Sequence, residues 1–103
     1  MEIQSLEQFQ SLINEDKITA IDFFATWCGP CKMLGPVFSS VADEMKADVN
    51  FVKVDIDKFN EIASMYGVQS VPTIVYTKAG TELTRTVGFM DADALKAKIN
   101  SLK

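Results

Sequence analysis

Histidine is missing from the chain altogether. Its absence removes the usual general base near neutral pH, every Cys-His nucleophile pair and the commonest zinc ligand. Any chemistry therefore falls to thiols, carboxylates, lysines or the backbone. Cysteine is scarce: two residues, Cys28 and Cys31, are too few for the disulfide framework of a small secreted domain. Basic residues are outnumbered, 10 Lys and Arg against 14 Asp and Glu, for a net charge of −4. The lysines are scattered and form no stripe, which argues against a nucleic-acid partner. Long apolar runs are absent too. Ile18–Ala25 is broken by Thr19 and Asp22 and is far too short to span a bilayer. Glu2, Glu7, Glu15 and Asp16 interrupt the start of the chain, so it does not read as a signal peptide. The expectation is a cytoplasmic protein that does not associate with membranes.

What remains is apolar enough to fold. Nearly half of the 103 residues are apolar, which excludes a disordered tail and gives one domain, 1–103, with a single core. Leu6, Phe9, Leu12 and Ile13 mark a helical face, opened by Ser5 with Gln8 three residues on, a capping-box pattern. Ile18–Ala25 (ITAIDFFA) is short, β-branched and aromatic, apolar on both faces except at Asp22, as a central strand covered on two sides would be. A helix follows from Cys31 to about Met45, then a strand over Phe51–Ile56, then a helix marked by Phe59, Ile62, Ala63 and Tyr66 and ended by Gly67. Strands near Thr73–Thr77 and Glu82–Val87 join through the hairpin turn Lys78–Thr81, and Asp91 caps a last helix. With a short strand at Met1–Ile3, this order predicts an α/β fold. Its small mixed sheet has four or five strands, with helices on both faces.

The two thiols lie where such a sheet places its site, past the carboxyl end of the central strand and at the start of the longest helix. Pro30 fits the first helical turn, where its missing N–H has no partner to lose. Free N–H groups and the positive end of the helix dipole favour a thiolate at that point. Three readings compete. A structural disulfide closing so short a loop removes little chain entropy. A metal site lacks ligands unless two chains share it. A reversible dithiol/disulfide pair is what Cys-x-x-Cys beside a strand-helix-strand pattern ordinarily signals.

The stretch WCGPCK (Trp27–Lys32) resembles the active-site sequence of the thioredoxin family. The likeness runs through the chain: Asp22-Phe23, Pro36, Lys53, Val71-Pro72-Thr73 and Gly88 fall in the family's order and spacing. Departures are a short first strand, Phe24 where a second tryptophan is frequent, Gly35 where alanine is frequent, and the bulky Phe89 beside Gly88. The resemblance implies a thioredoxin-like fold and a protein-disulfide reductase. It further implies that no cofactor is bound, and that an external thioredoxin reductase would restore the dithiol of a protein working as a monomer on disulfide-containing targets. Cys28 would be the nucleophile, Cys31 the resolving thiol, and Asp22 the group that helps deprotonate Cys31. Gly29, Pro30 and Lys53 would tune the redox pair. Trp27, Val71, Pro72 (in cis), Gly88 and Phe89 would form an apolar substrate surface.

Plainer readings stand beside these. Asp22 would otherwise be satisfied by a neighbouring strand or the solvent edge, Lys53 would snorkel from its strand, and Trp27 and Phe89 would pack in a core. Pro72 would be an ordinary trans proline at a strand entrance. Asp55, Asp57 and Glu61 read as a solvated acidic face. Two other activities remain: a disulfide oxidase or isomerase, whose family members usually carry histidine between the cysteines, and a binding subunit or co-chaperone that docks without turnover.

Overall fold

A computed structural model describes all 103 residues, Met1–Lys103. The elements run α1 (Leu6–Ile13), β1 (Ile18–Phe24), α2 (Gly29–Met45), β2 (Val49–Asp55), α3 (Asn60–Met65), β3 (Thr73–Lys78), β4 (Thr81–Val87) and α4 (Ala92–Ser101). The four strands form one sheet in the order β2-β1-β3-β4. β1 runs parallel to β2, as a crossover through α2 requires, and antiparallel to β3. The β3–β4 hairpin closes the other side with a register shift after Tyr76. Met1–Ile3 makes only an isolated bridge of Glu2 with Lys53, so the fifth strand reduces to a clip on the β2 edge. No helix is long and apolar enough to cross a membrane.

The period of two along each strand sorts side chains into two cores. Ala20, Phe51, Ile74 and Tyr76 meet Leu34, Phe38 and Val41 of α2 and Leu95 and Ile99 of α4 on one face. Ile21, Phe23, Val52, Val54 and Val75 meet Phe9 and Ile13 of α1 and Ile62 and Ala63 of α3 on the other. Each fully buried Val, Leu, Ile or Phe among them contributes roughly 1.5–3 kcal/mol. A third, small cluster of Ala25, Cys28 and Cys31 sits at the carboxyl end of β1.

The caps follow the sequence with one change. Gln8 N–H donates to Ser5 Oγ at 3.1 Å, but the Gln8 side chain returns to the N–H of Gln4 and not to that of Ser5. Asp91 accepts from Ala94 N–H at 2.8 Å. α2 starts two residues earlier than the apolar spacing predicts, because Gly29 and Pro30 already form its first turn. The hairpin turn uses Ala79 and Gly80 at φ 50° and 82°, the pair of positive values that a two-residue hairpin requires. Their N–H groups donate to the carbonyls of Glu15 and Ile13, which ties the hairpin to the end of α1.

Gly80 is thus fixed by backbone geometry. A Cβ there would also stand 2.8 Å from Asn14 Oδ1, a contact the exposed Asn14 side chain relieves by turning. Gly80→Ala should lower stability by about 1–2 kcal/mol, the cost of a left-handed L-residue. Adding Asn14→Ala should recover only a minor part, whereas Ala79→Gly should cost nothing. Urea midpoints of the three variants check this.

Candidate active site: a dithiol at a helix start

The site is built where β1 ends and α2 begins. Cys28 is the N-cap of α2, in extended conformation, with Gly29, Pro30 and Cys31 forming the first turn. An N-cap side chain ordinarily offers oxygen to the N–H three residues on; here sulfur does so. Cys31 N–H lies 3.2 Å from Cys28 Sγ. Pro30 has no N–H to compete, so the sulfur meets the Cys31 donor alone. The two cysteines are joined as a disulfide, with Cα atoms 5.3 Å apart. A donor N–H aimed at sulfur favours the thiolate once that bond is reduced. A carbonyl stands on the other side: Val71 O lies 3.6 Å from Cys28 Sγ, where it would accept from a thiol and repel a thiolate.

Cys28 does not stand out on its turn; it is 5% exposed and Cys31 6%, packed among Ala25, Phe24, Ile56 and Val71. The exposed groups are their neighbours: Trp27 at 68%, with Gly29 and Pro30. Both core readings for the aromatics fail, since Phe89 is also exposed at 45%.

Val71-Pro72 is a cis peptide bond. Gly88, at φ 92°, donates its N–H to Pro72 O at 2.8 Å, which joins the end of β4 to the start of β3 beside Cys28. Cys28, Cys31, Val71, Pro72 and Gly88 are therefore brought together, and the exposed Phe89 follows Gly88 in the chain. A groove of about 220 Å³ lies between Trp27 and Val71, walled by Ile56, Val68, Gln69 and Ser70. Asp57 belongs here as well: it accepts from Trp27 Nε1 at 3.0 Å and so orients the indole. The solvated acidic face is thus incorrect in part. Asp55 is 3% exposed and accepts from the N–H groups of Asp57 and Lys58, which turns the chain so that Asp57 reaches Trp27. The sequence offered one signal for this, two aspartates bracketing the end of an apolar strand.

Behind the dithiol, Asp22 and Lys53 pair in register across β1 and β2 and lie on the face covered by α2. Asp22 is 1% exposed, and no protein donor reaches its Oδ1, so neither a neighbouring strand nor the solvent edge satisfies it. Burial pushes its carboxyl up from 3.8 to about 6, against the pull of the Lys53 ammonium. Lys53 does not snorkel freely: its Nζ rests 4.6 Å from the centre of the Phe24 ring. No cluster of three or more His, Cys, Asp or Glu side chains has the geometry to hold a metal ion.

A sheet of order 2-1-3-4 carrying a dithiol at the N-terminus of its longest helix defines a thiol-disulfide oxidoreductase. The family model for thioredoxin matches residues 1–101. Thioredoxin from Malassezia sympodialis is 45% identical over 98 residues, 94% of this chain and 92% of that protein. The crystal structure of that allergen superposes with a TM-score of 0.90 at 42% identity, covering 97% of this chain and 87% of the other. A third match has a TM-score of 0.85 at 35% identity over 98% of this chain and 93% of that one. It comes from work on thiol resolution in yeast mitochondrial 1-Cys peroxiredoxin through the glutathione and thioredoxin systems. The chain belongs to the thioredoxin family and is a disulfide reductase whose redox-active centre is the Cys28–Cys31 pair.

The raised proton affinity of Asp22 has a signed consequence for stability. A carboxyl that holds its proton more tightly when folded contributes stability below its unfolded value of 3.8 and loses it as pH rises through about 6. At about 1.4 kcal/mol per pKa unit, its ionisation costs about 3 kcal/mol at neutral pH. Asp22→Asn, whose amide is also left short of partners, should raise stability by about 1–3 kcal/mol at pH 7.5. The advantage should shrink steadily as pH falls from 6 towards 4. Urea unfolding of the oxidised forms across that range measures it, and a pH-independent difference would contradict a buried ionised Asp22.

Proposed function

We propose that the chain, one domain over residues 1–103, reduces target disulfides in two thiol exchanges. The Cys28 thiolate attacks one sulfur of a target disulfide; that S–S bond breaks, a mixed disulfide forms, and the first target thiolate leaves. Cys31 gives its proton to the Asp22 carboxylate, and its thiolate attacks Cys28 Sγ. The mixed disulfide breaks, the second target thiolate leaves, and the Cys28–Cys31 disulfide remains. Two electrons have passed from the dithiol to the target. A thioredoxin reductase then restores the dithiol, and the protein works as a monomer in the cytoplasm.

The observation that carries this order of roles is the Cys31 N–H on Cys28 Sγ at the start of α2. Cys28 is the thiol that receives the helix N–H, so it is the one held ready as thiolate. Cys31 is already inside the helix, beside the sulfur it must attack, which makes the second exchange intramolecular. Asp22 supports the proton step because its value of about 6 lets it exchange a proton near neutral pH. Lys53 moderates that value, while Gly29 and Pro30 set the spacing of the pair. Trp27, Val71, Gly88 and Phe89, with Pro72 buried behind them, present a largely apolar rim on which an extended target segment lies, its backbone pairing with Val71. Disulfide-bearing proteins are the targets, in keeping with a relative studied in the peroxiredoxin system.

Cys31→Ser should stop the reaction halfway, leaving target proteins held on Cys28 as mixed disulfides that dithiothreitol releases. Cys28→Ser should hold nothing and turn nothing over. Mass spectrometry of a reducing elution checks both; capture by Cys28→Ser would reverse the roles. A redox titration separates a reductase from an oxidase or isomerase, since each 30 mV corresponds to about 1.4 kcal/mol in a two-electron couple. A double Cys28→Ser, Cys31→Ser variant that kept its cellular activity would identify a binding subunit instead.

A further inference from the structure

The cavities of the molecule differ in charge. One mixes Asp16 and Asp48 with Lys17 and Lys78, another mixes Asp43 with Lys46, and the groove beside Trp27 holds no charge. The largest, about 530 Å³, is lined by Lys32 and Lys53 with no carboxylate in its wall. That is unexpected in a chain with 14 acidic residues against 10 basic ones. Its volume lies in the range of small-molecule sites. It shares no lining residue with the Trp27 groove and touches the redox pair only at Cys31.

Its chemistry is specific. Neither Lys32 nor Lys53 has a carboxylate within ion-pair distance. The half-buried Lys53 rests its ammonium on the Phe24 ring and makes no side-chain hydrogen bond or ion pair, which leaves its three N–H donors short of acceptors. Thr26 and Ser39 add two hydroxyls to the same wall, and Phe24 and Pro36 add apolar surface. Gly35 keeps the space open: a Cβ there would stand 3.9 Å from Lys53 Nζ, and a longer side chain would fill the region in front of the ammonium. The Asp22 carboxylate, on the neighbouring strand, offsets Lys53 in part and leaves Lys32 uncompensated.

We propose that this pocket binds a small organic oxyanion, a phosphate monoester or carboxylate carried on a compact apolar body. The two ammonium groups and two hydroxyls take the oxygens, as charge-assisted donors do. The Phe24 and Pro36 wall takes the apolar part. The site is distinct from the surface on which target segments lie, and its occupant rests against Cys31.

The test is a ¹H–¹⁵N NMR titration of the oxidised full chain with phenyl phosphate, with benzoate and with inorganic phosphate, at constant ionic strength. Phenyl phosphate or benzoate should give saturable shifts confined to the amides of Thr26, Lys32, Gly35, Ser39 and Lys53, and the tighter of the two assigns the head group. Lys32→Gln, an exposed change that leaves folding intact, should weaken binding at least three-fold, and Lys53→Gln likewise. Gly35→Leu should block binding, and Lys46→Gln, in another cavity, should leave it unchanged. Shifts that stay linear and spread over the surface lysines would overturn the site. So would a Lys32→Gln variant that binds as tightly as the parent, or an equal loss in Lys46→Gln. Inorganic phosphate binding as tightly as phenyl phosphate would overturn the apolar half of the proposal.

Discussion

β1 is hydrogen-bonded along both edges and covered on both faces, and the site depends on that constraint. Pairing with β2 on one side and β3 on the other fixes its register twice. A slip of one residue would exchange the faces of the strand and carry Asp22 from beneath α2 to the side of α1 and α3. The apolar residues around Asp22 prevent this, because Ala20 and Ile21 each fit only the core they now fill. The same register sets Lys53 across from Asp22 and delivers the chain to Cys28, the N-cap of α2, four residues past Phe24. The chemistry therefore inherits its precision from a central strand whose only ionisable group is Asp22.

At the helix start, two neighbours pull the Cys28 proton in opposite directions. The N–H of Cys31, at 3.2 Å, stabilises negative charge on sulfur, and the helix dipole adds to it. The carbonyl of Val71, at 3.6 Å, stabilises the thiol. A carbonyl at that distance leaves a sulfur lone pair facing an oxygen lone pair once the proton is gone, so the thiolate is held in readiness without being over-stabilised. An over-stabilised thiolate is a poor nucleophile, since nucleophilicity falls with pKa. The segment that supplies the carbonyl also carries the cis bond to Pro72 and is tied to Gly88, so one backbone arrangement serves both the sulfur and the rim around it.

Most of this frame is legible in the sequence, and what is not has identifiable causes. Alternation and turn residues locate every strand to within two residues, because burial on two faces leaves a strong apolar signal in ITAIDFF and FVKVD. The start of α2 is missed by two positions since Gly29 and Pro30 carry no apolar period. The cysteines are found from spacing alone. The burial of Cys28 is not, because it arises from Phe24, Ile56 and Val71, which arrive from three separate segments. Asp57 escapes for a similar reason: its partner, Trp27, is 30 residues away, and an acidic residue after a strand looks solvated until the turn made by Asp55 is seen. The cis form of Pro72 is likewise not a local property, and resemblance alone anticipated it.

The placement of Lys53 shows why the buried carboxylate keeps its raised proton affinity. In direct contact, an ammonium and a carboxylate in a protein interior attract strongly enough to return the carboxyl to its ordinary range or below. Lys53 is the register partner of Asp22 on β2, yet the two make no ion pair. Its ammonium is instead seated on the Phe24 ring, two residues beyond Asp22 along β1. Held on that ring, the charge lowers the carboxyl only in part, and desolvation prevails. The cost, about 3 kcal/mol, is large against a typical total stability of about 5–15 kcal/mol. The two apolar cores on either side of the sheet make it tolerable. Phe24 thereby acts on the proton affinity of Asp22 without touching the proton, by deciding where the neighbouring positive charge rests.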